Sequence, residues 1–288
     1  MEKVFFTKMS GAGNDFIFFD KKQNPAFNLS PEYIKKICNR RNGIGADGLI
    51  IVEDILNYDF KMRYFNADGS TGSLCGNGAR CAILFALNSD RLKDGKARFI
   101  SNDTSYSGEV LSDGSIKFNL NPPKKIKYNF KIKAFGQLIT SHFADTGSPH
   151  VVIKIGDILS NHLKPDSKFK TINDIPVLQI GKEIRYCSDF KPDGTNVNFI
   201  EVIDNVINIR TYERGVEDET LACGTGSVAA AIIACVTDNL KPPITLITRG
   251  GDKLIVYFEI EDQKVKNLSL TGPAEVIFEG STDKKFFI

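Results

Sequence analysis

The sequence predicts a mixed α/β (α+β) protein built from two homologous, pseudo-symmetric domains, each a mostly antiparallel, strand-rich, barrel-like unit around a central buried helix, with the site in the cleft between them. Three observations carry this. The chain has 288 residues, a length that suits two domains, each with its own core. Most of it reads as short β-branched and aromatic runs separated by turn residues. A Cys-Gly-x-Gly string followed by an apolar, alanine-bearing helix occurs twice, at Cys75 and Cys223, an offset of 148 (223 minus 75).

The strands announce themselves as hairpins. Residues 108–120 (GEVLSDGSIKFNL) alternate around Asp113-Gly114, residues 199–212 around Asp204-Asn205, and residues 244–260 around Gly250-Gly251-Asp252. Two segments break the pattern, Ala79–Asn88 and Ser227–Cys235, both largely apolar and alanine-bearing and therefore predicted as buried helices. The offset that superposes the two cysteines also superposes Tyr64 on Tyr212 and Ala82 on Ala230 without a gap. Duplication of a whole domain explains that better than a recurring loop. Asn121-Pro122-Pro123 cannot continue a central strand and serves as the crossover. The predicted domains are 1–120 plus 268–288, carrying Cys75, and 121–267, carrying Cys223.

Composition narrows the classes. A net charge of +2, spread along the chain, gives no basic face for nucleic acid. No signal-like leader or apolar run of about 20 residues is present, so neither membrane nor export is expected and the cytoplasm is the expected compartment. The six cysteines form no tight CxxC pair, which argues against a zinc ribbon, and a chain of this size needs no disulfide staples. Reduced thiols are expected. Cys38, Cys81, Cys187 and Cys235 read as core filler.

Cys75 and Cys223 read differently. A thiol just before a helix meets the free N–H groups of the first turn, whose partial positive charge favours thiolate. The glycines that follow admit a carboxylate to the same amides. A base and an anion seat are thus combined twice. With one such loop on either side of an α-carbon, one cysteine removes a proton and the other returns it, which inverts a stereocentre. The α-proton is weakly acidic and no pyridoxal-phosphate signature is present, so exclusion of water must strengthen the stabilisation of developing charge. Neither string continues into a Walker A loop, and Gly11-Ala12-Gly13 lacks the third glycine of a dinucleotide fingerprint.

In order along the chain, KMSGAGNDF from Lys8, RNGIGADGL from Arg41, FNADGSTGSLCGNGAR from Phe65, NVNF from Asn196 and YERGVEDETLACGTG from Tyr212 resemble the signatures of the diaminopimelate epimerases. The resemblance implies interconversion of LL- and meso-diaminopimelate in lysine and peptidoglycan precursor synthesis, without cofactor or metal, by a homodimer. It implies that Cys75 and Cys223 are the acid/base pair, and that the backbone of Gly76, Asn77, Gly224 and Thr225 surrounds the reacting carboxylate. It places Glu213 on the α-amino group, Asn14 on the substrate, and Asn66, Asn196 and Arg214 on the distal end. His150 matches a histidine that supports one of the cysteines. Read alone, the asparagines equally suit turns, Glu213 with Arg214 a solvated pair, and His150 a loop cap.

Two positions depart from the commonest family form. Ser148 stands where an asparagine often precedes the proline, and Gly48 where some members carry glutamine. The alternatives are a proline- or hydroxyproline-type racemase, which shares the paired-cysteine logic, and a non-catalytic small-molecule-binding member of the fold, whose natural signature is loss of a cysteine.

Overall fold

A computed structural model describes residues 3–25, 29–72, 74–283 and 285. Contacts between backbone positions divide the chain into two units, Met1–Asn119 with Thr271–Ile288, and Leu120–Leu270. Ser73, inside the string that leads to Cys75, lies outside the described residues. No helix among the described residues is long and apolar enough to cross a membrane.

The first unit contains β1 (Lys3–Gly11), β2 (Asn14–Asp20), α1 (Pro31–Cys38), β3 (Gly48–Glu53), β4 (Phe60–Asn66), α2 (Gly76–Asn88), β5 (Lys96–Ser101), β6 (Thr104–Val110) and β7 (Ile116–Asn119). Sequence neighbours pair antiparallel except where a helix intervenes: β2–β3 and β4–β5 are parallel. Parallel neighbours cannot be joined by a tight turn, so the crossovers carry α1 and α2.

These two helices cover opposite faces of the strands. Ile34, Ile37 and Cys38 of α1 pack with Ile17 and Phe19 of β2 and with Leu49 and Ile51 of β3. The intervening Phe18 instead stacks on Phe85 of α2, with ring centroids 5.1 Å apart. A strand covered on both sides has no solvent face, which is why β2 and β3 read as unbroken apolar runs rather than as alternation. Helix α2 contacts strands from β1 to β7 and is apolar almost all round, as a helix enclosed by strands must be. Its exception, Arg80, is fully buried, and its guanidinium donates to the Pro273 carbonyl, the Gly76 carbonyl and Asn77 Oδ1.

The second unit repeats the plan with β8 (Lys125–Ala134), β9 (Gln137–Asp145), β10 (Pro149–Lys154), α3 (Val177–Arg185), β11 (Asn196–Ile203), β12 (Val206–Glu213), β13 (Asp218–Thr220), α4 (Gly224–Thr237), β14 (Ile244–Ile247), β15 (Lys253–Glu261) and β16 (Lys264–Gly272). Again two pairs are parallel, β10–β11 across α3 and β12–β14 across α4, while β8–β9, β9–β10, β11–β12 and β14–β15 are antiparallel. Ile180 and Ile184 of α3 pack with Val197, Phe199 and Tyr212, and α4 lies among β9 to β15 on the other side. The last strand, β17 (Glu275–Asp283), returns to the first unit and pairs antiparallel with β1, Lys3 opposite Asp283.

The expected mixed α+β class and enclosed helices are thus present. The expected hairpins form, with Asp204 and Asn205 both at positive φ as a two-residue turn between β11 and β12 requires. Three details differ from expectation. Helices α2 and α4 begin at Gly76 and Gly224, three residues earlier than hydrophobicity indicates, because the glycines are already helical. Two amphipathic helices, α1 and α3, were not anticipated from the sequence. Cys187 and Cys235 are only partly buried, unlike Cys38 and Cys81.

Candidate active site

Each cysteine loop sits at the N-terminus of the central helix of its unit. Cys75 is the N-cap of α2 and Cys223 the N-cap of α4, both in extended backbone conformation, so the thiol stands at the end where the first-turn N–H groups are open. Cys75 is half-buried and Cys223 buried. The thiols within α1 and α2, Cys38 and Cys81, are buried. Burial pushes Cys81 to about 12, and it does the same to Cys38.

In the first unit the candidates Asn14 and Asn77 are joined: Asn77 Nδ2 donates to Asn14 Oδ1, while Asn77 Oδ1 accepts from Arg80 at 2.9 Å. Asn14 Nδ2 in turn donates to Asp47 Oδ2 at 3.1 Å. Behind this lies an ion-pair cluster in which Arg40 bridges Asp15 and Asp47, and the buried Lys8 lies 2.7 Å from Asp15. Burial pushes the Asp15 carboxyl up, but Arg40 and Lys8 outweigh it and hold the group at about 2. Asn14 is therefore fixed by charged neighbours, and through it the first turn of α2. Asn66 lies elsewhere, in a local turn where its Nδ2 donates to Ser70 Oγ at 3.0 Å.

Gly48 has a steric explanation. A Cβ there meets the Tyr64 ring at 2.5 Å and the Phe65 carbonyl at 2.8 Å, so the tyrosine fills the space that a longer side chain needs.

In the second unit His150, Thr225 and Cys223 form a connected group. His150 Nε2 lies 2.9 Å from Thr225 Oγ1 and 2.9 Å from Ser148 Oγ, and Thr225 Oγ1 lies 3.7 Å from Cys223 Sγ. Thr146 Oγ1 donates to the Thr225 carbonyl at 2.9 Å and steadies the same turn. Ser148, the departure from the commonest form, is thus engaged with the histidine. Asn196 and Arg214 form a second group: Asn196 Oδ1 accepts from the Arg214 backbone N–H at 2.8 Å and its Nδ2 donates to the Pro149 carbonyl at 2.9 Å. Arg214 and Pro149 line an open pocket of about 440 Å³. Glu213 Oε2 accepts from Thr220 Oγ1 at 2.8 Å.

Burial, then the Arg214 charge, drives His150 down to about 3, so its ring is neutral near pH 7. Unfolded, the same ring titrates near 6.5. As pH falls from about 6.5 toward 3, the unfolded chain takes up a proton that the folded one refuses, so stability is complete above the upper value and lost on descent. His142, also lowered by burial, acts in the same direction. The free energy of urea unfolding is expected to fall more steeply below pH 6 for wild type than for His150→Gln, by up to about 1.4 kcal/mol per pH unit. Parallel slopes contradict the buried neutral ring.

Asn198 was not singled out in the sequence. It is fully buried and donates to the Val151 carbonyl at 2.8 Å, with its Nδ2 also 3.2 Å from His150 Nδ1. The signal was available: in NVNF, Asn196 and Asn198 alternate onto one face of β11, and a fully buried asparagine must be satisfied by specific partners.

Two units with the same strand order, each built around an enclosed crossover helix, define a duplicated α+β fold, and in this chain each helix presents a thiol at its N-cap. The same fold is found in a PhzF-family phenazine biosynthesis protein of Bacillus anthracis, with TM-score 0.72, 14% identity and 98% and 100% of the two chains covered. It is found also in a hydroxyproline epimerase of Agrobacterium vitis, with TM-score 0.67, 11% identity and 99% and 94% covered. The diaminopimelate epimerase family model matches residues 6–126 and 142–277. The chain is 40% identical to the diaminopimelate epimerase of Chlorobaculum tepidum over 276 residues, covering 95% of this chain and 99% of that one. It is 36% identical to that of Aquifex aeolicus over 287 residues, covering 96% of each. This chain belongs to the diaminopimelate epimerase family.

Proposed function

We propose that the chain is a diaminopimelate epimerase, an isomerase that interconverts LL- and meso-2,6-diaminopimelate without cofactor or metal. The observation that carries the reading is the pair of thiols at equivalent helix N-caps, in a chain matched to this family over nearly its whole length. One thiolate takes the α-proton and becomes a thiol, while the opposite thiol gives its proton to the other face of the carbanion and becomes the thiolate. The next turnover runs in reverse. First-turn amides at Gly76, Asn77, Gly224 and Thr225 stabilise the charge that spreads onto the carboxylate. The buried Arg80 adds positive charge beneath the first turn of α2.

Glu213 receives the α-ammonium in this reading, and Asn14 positions the substrate by way of Asn77. Asn66, Asn196 and Arg214 take the distal amino-acid end, the guanidinium matching its carboxylate. His150 supports Cys223 as a neutral ring. Each unit contributes one half of the chemistry, the first carrying Cys75 and the second Cys223. We place the enzyme in the cytoplasm, supplying lysine and peptidoglycan precursors, as a homodimer. Three consecutive exposed apolar side chains of β17, Val276, Ile277 and Phe278, support the self-association.

The test is incubation of the purified enzyme with LL-diaminopimelate in D2O, with L-proline beside it. Deuterium at the α-carbon together with meso product is expected for diaminopimelate alone. Exchange of proline, with none of diaminopimelate, points instead to the racemase type found in the same fold.

A further inference from the structure

The buried amide of Asn198 decides which nitrogen of His150 carries the proton. Its Nδ2 has two hydrogens and two acceptors in reach, the Val151 carbonyl at 2.8 Å and His150 Nδ1 at 3.2 Å, while its Oδ1 accepts from Thr211 Oγ1 at 3.0 Å. Turning the amide over sets Oδ1 against the Val151 carbonyl, two acceptors face to face with no water to separate them. The amide orientation is therefore fixed, and Nδ1 must accept. In a neutral ring the proton then sits on Nε2.

That proton points at Thr225 Oγ1 and Ser148 Oγ, both 2.9 Å away. A donor at Nε2 takes no hydrogen from either hydroxyl, so the hydrogen of Thr225 is left to turn toward Ser148 Oγ at 3.3 Å or Cys223 Sγ at 3.7 Å, and a thiolate is the stronger acceptor of the two. The opposite tautomer reverses this. Its bare Nε2 draws a hydroxyl hydrogen inward, and the sulfur loses the Thr225 hydroxyl as a donor.

We propose that Asn198 is a positioning residue for proton transfer at Cys223: it locks His150 in the Nε2–H form, so that the Thr225 hydroxyl donates to the cysteine sulfur and favours its thiolate. The proposal rests on the reading that Cys223 moves a proton. At the repeat offset of 148 the counterparts of Asn198 and Thr225 are Ile50 and Asn77, and Asn77 is held by Asn14 rather than by a histidine. The device belongs to one half of the duplication.

The decisive experiment reads the ring and the sulfur separately, without substrate. Two-bond proton–nitrogen correlation spectra of the histidine-labelled enzyme, assigned with His150→Gln, are expected to show an unprotonated Nδ1 and a protonated Nε2 in wild type, inverted in Asn198→Asp. In parallel, alkylation of Cys223 by iodoacetamide is followed against pH by peptide mass spectrometry. Asn198→Asp and Thr225→Val are expected to move its midpoint up by about one pH unit, roughly tenfold slower near neutrality, with Thr225→Ser restoring wild type. Arg214, the charge that bears on His150, and Glu213 beside it are retained in every variant. An Nδ1–H tautomer in wild type overturns the proposal, as does an unmoved Cys223 midpoint in Thr225→Val. Should Asn198→Asp fail to fold, the wild-type spectrum and the threonine pair still decide. Loss of diaminopimelate exchange with the lock intact overturns the epimerase reading alone.

Discussion

Replacing either Cys75 or Cys223 with alanine is expected to slow the inversion of diaminopimelate by about 10⁴-fold or more, and the double variant is expected to be little worse than either single one. The reasoning is stereochemical. A single remaining thiol can remove a proton and return it only to the face from which it came, so inversion needs both groups, and their contributions cannot add. Folding is expected to survive, because each cysteine occupies an N-cap, where substitution costs about 1 kcal/mol, rather than the interior of α2 or α4. The measurement is the appearance of meso product from LL substrate, set beside thermal unfolding of each variant. Activity indifferent to either thiol removes the two-base mechanism. A double variant that multiplies the single losses removes the idea that the pair acts as a unit.

The second large effect is expected at Gly226, where alanine should cost about 2–4 kcal/mol of stability, whereas the repeat-equivalent Gly78→Ala should stay within about 1 kcal/mol. Alanine in place of glycine ordinarily strengthens a helix. At Gly226, however, the added Cβ falls 2.3 Å from Asn198 Oδ1, an atom held by Thr211 and by the anchoring of the same amide to Val151. The amide must leave its seat and orphan buried partners. At Gly78 the nearest atom is the terminal methyl of Ile50 at 3.0 Å, which can rotate aside. Urea denaturation of both variants checks this. Equal costs mean that Asn198 is not rigidly held.

Much of this architecture was legible because the repeat supplied its own control. One Cys-Gly-x-Gly string means little, but two, each followed by an apolar helix at a common offset, locate the enclosed helices and both N-caps. The offset was also misleading at the start of each unit. From the cysteine loops onward it holds at 148, yet β1 and β9 are separated by only 134, because a long connection between β10 and α3 takes up the difference. No gapless comparison finds that correspondence. Helices α1 and α3 are not legible because they are short, eight and nine residues, with too few turns for buried positions such as Ile34 and Ile37 or Ile180 and Ile184 to establish a helical period. Cys187 and Cys235 read as filler from residue type, but residue type does not say which side of an element meets solvent. Asn198 and Arg80 were least legible of all. Asn198 depends on the Val151 carbonyl and the Thr211 hydroxyl of neighbouring strands, and Arg80 on the distant Pro273 carbonyl as well as on its own helix, and the chain does not write those distant partners beside them.

The return of β17 to β1 has a consequence for synthesis on the ribosome. The second unit is contiguous, so its strands can pair as soon as they have emerged, while the first unit is translated earlier and finishes later. Until residues 275–283 emerge, β1 keeps an unpaired edge, with Phe5 and Phe6 beside it, through the whole time needed to make the second unit. An open apolar edge on a nascent chain invites pairing with other chains. Rapid folding of the inserted unit therefore protects its older twin, and variants that slow it should raise aggregation of a half they do not touch.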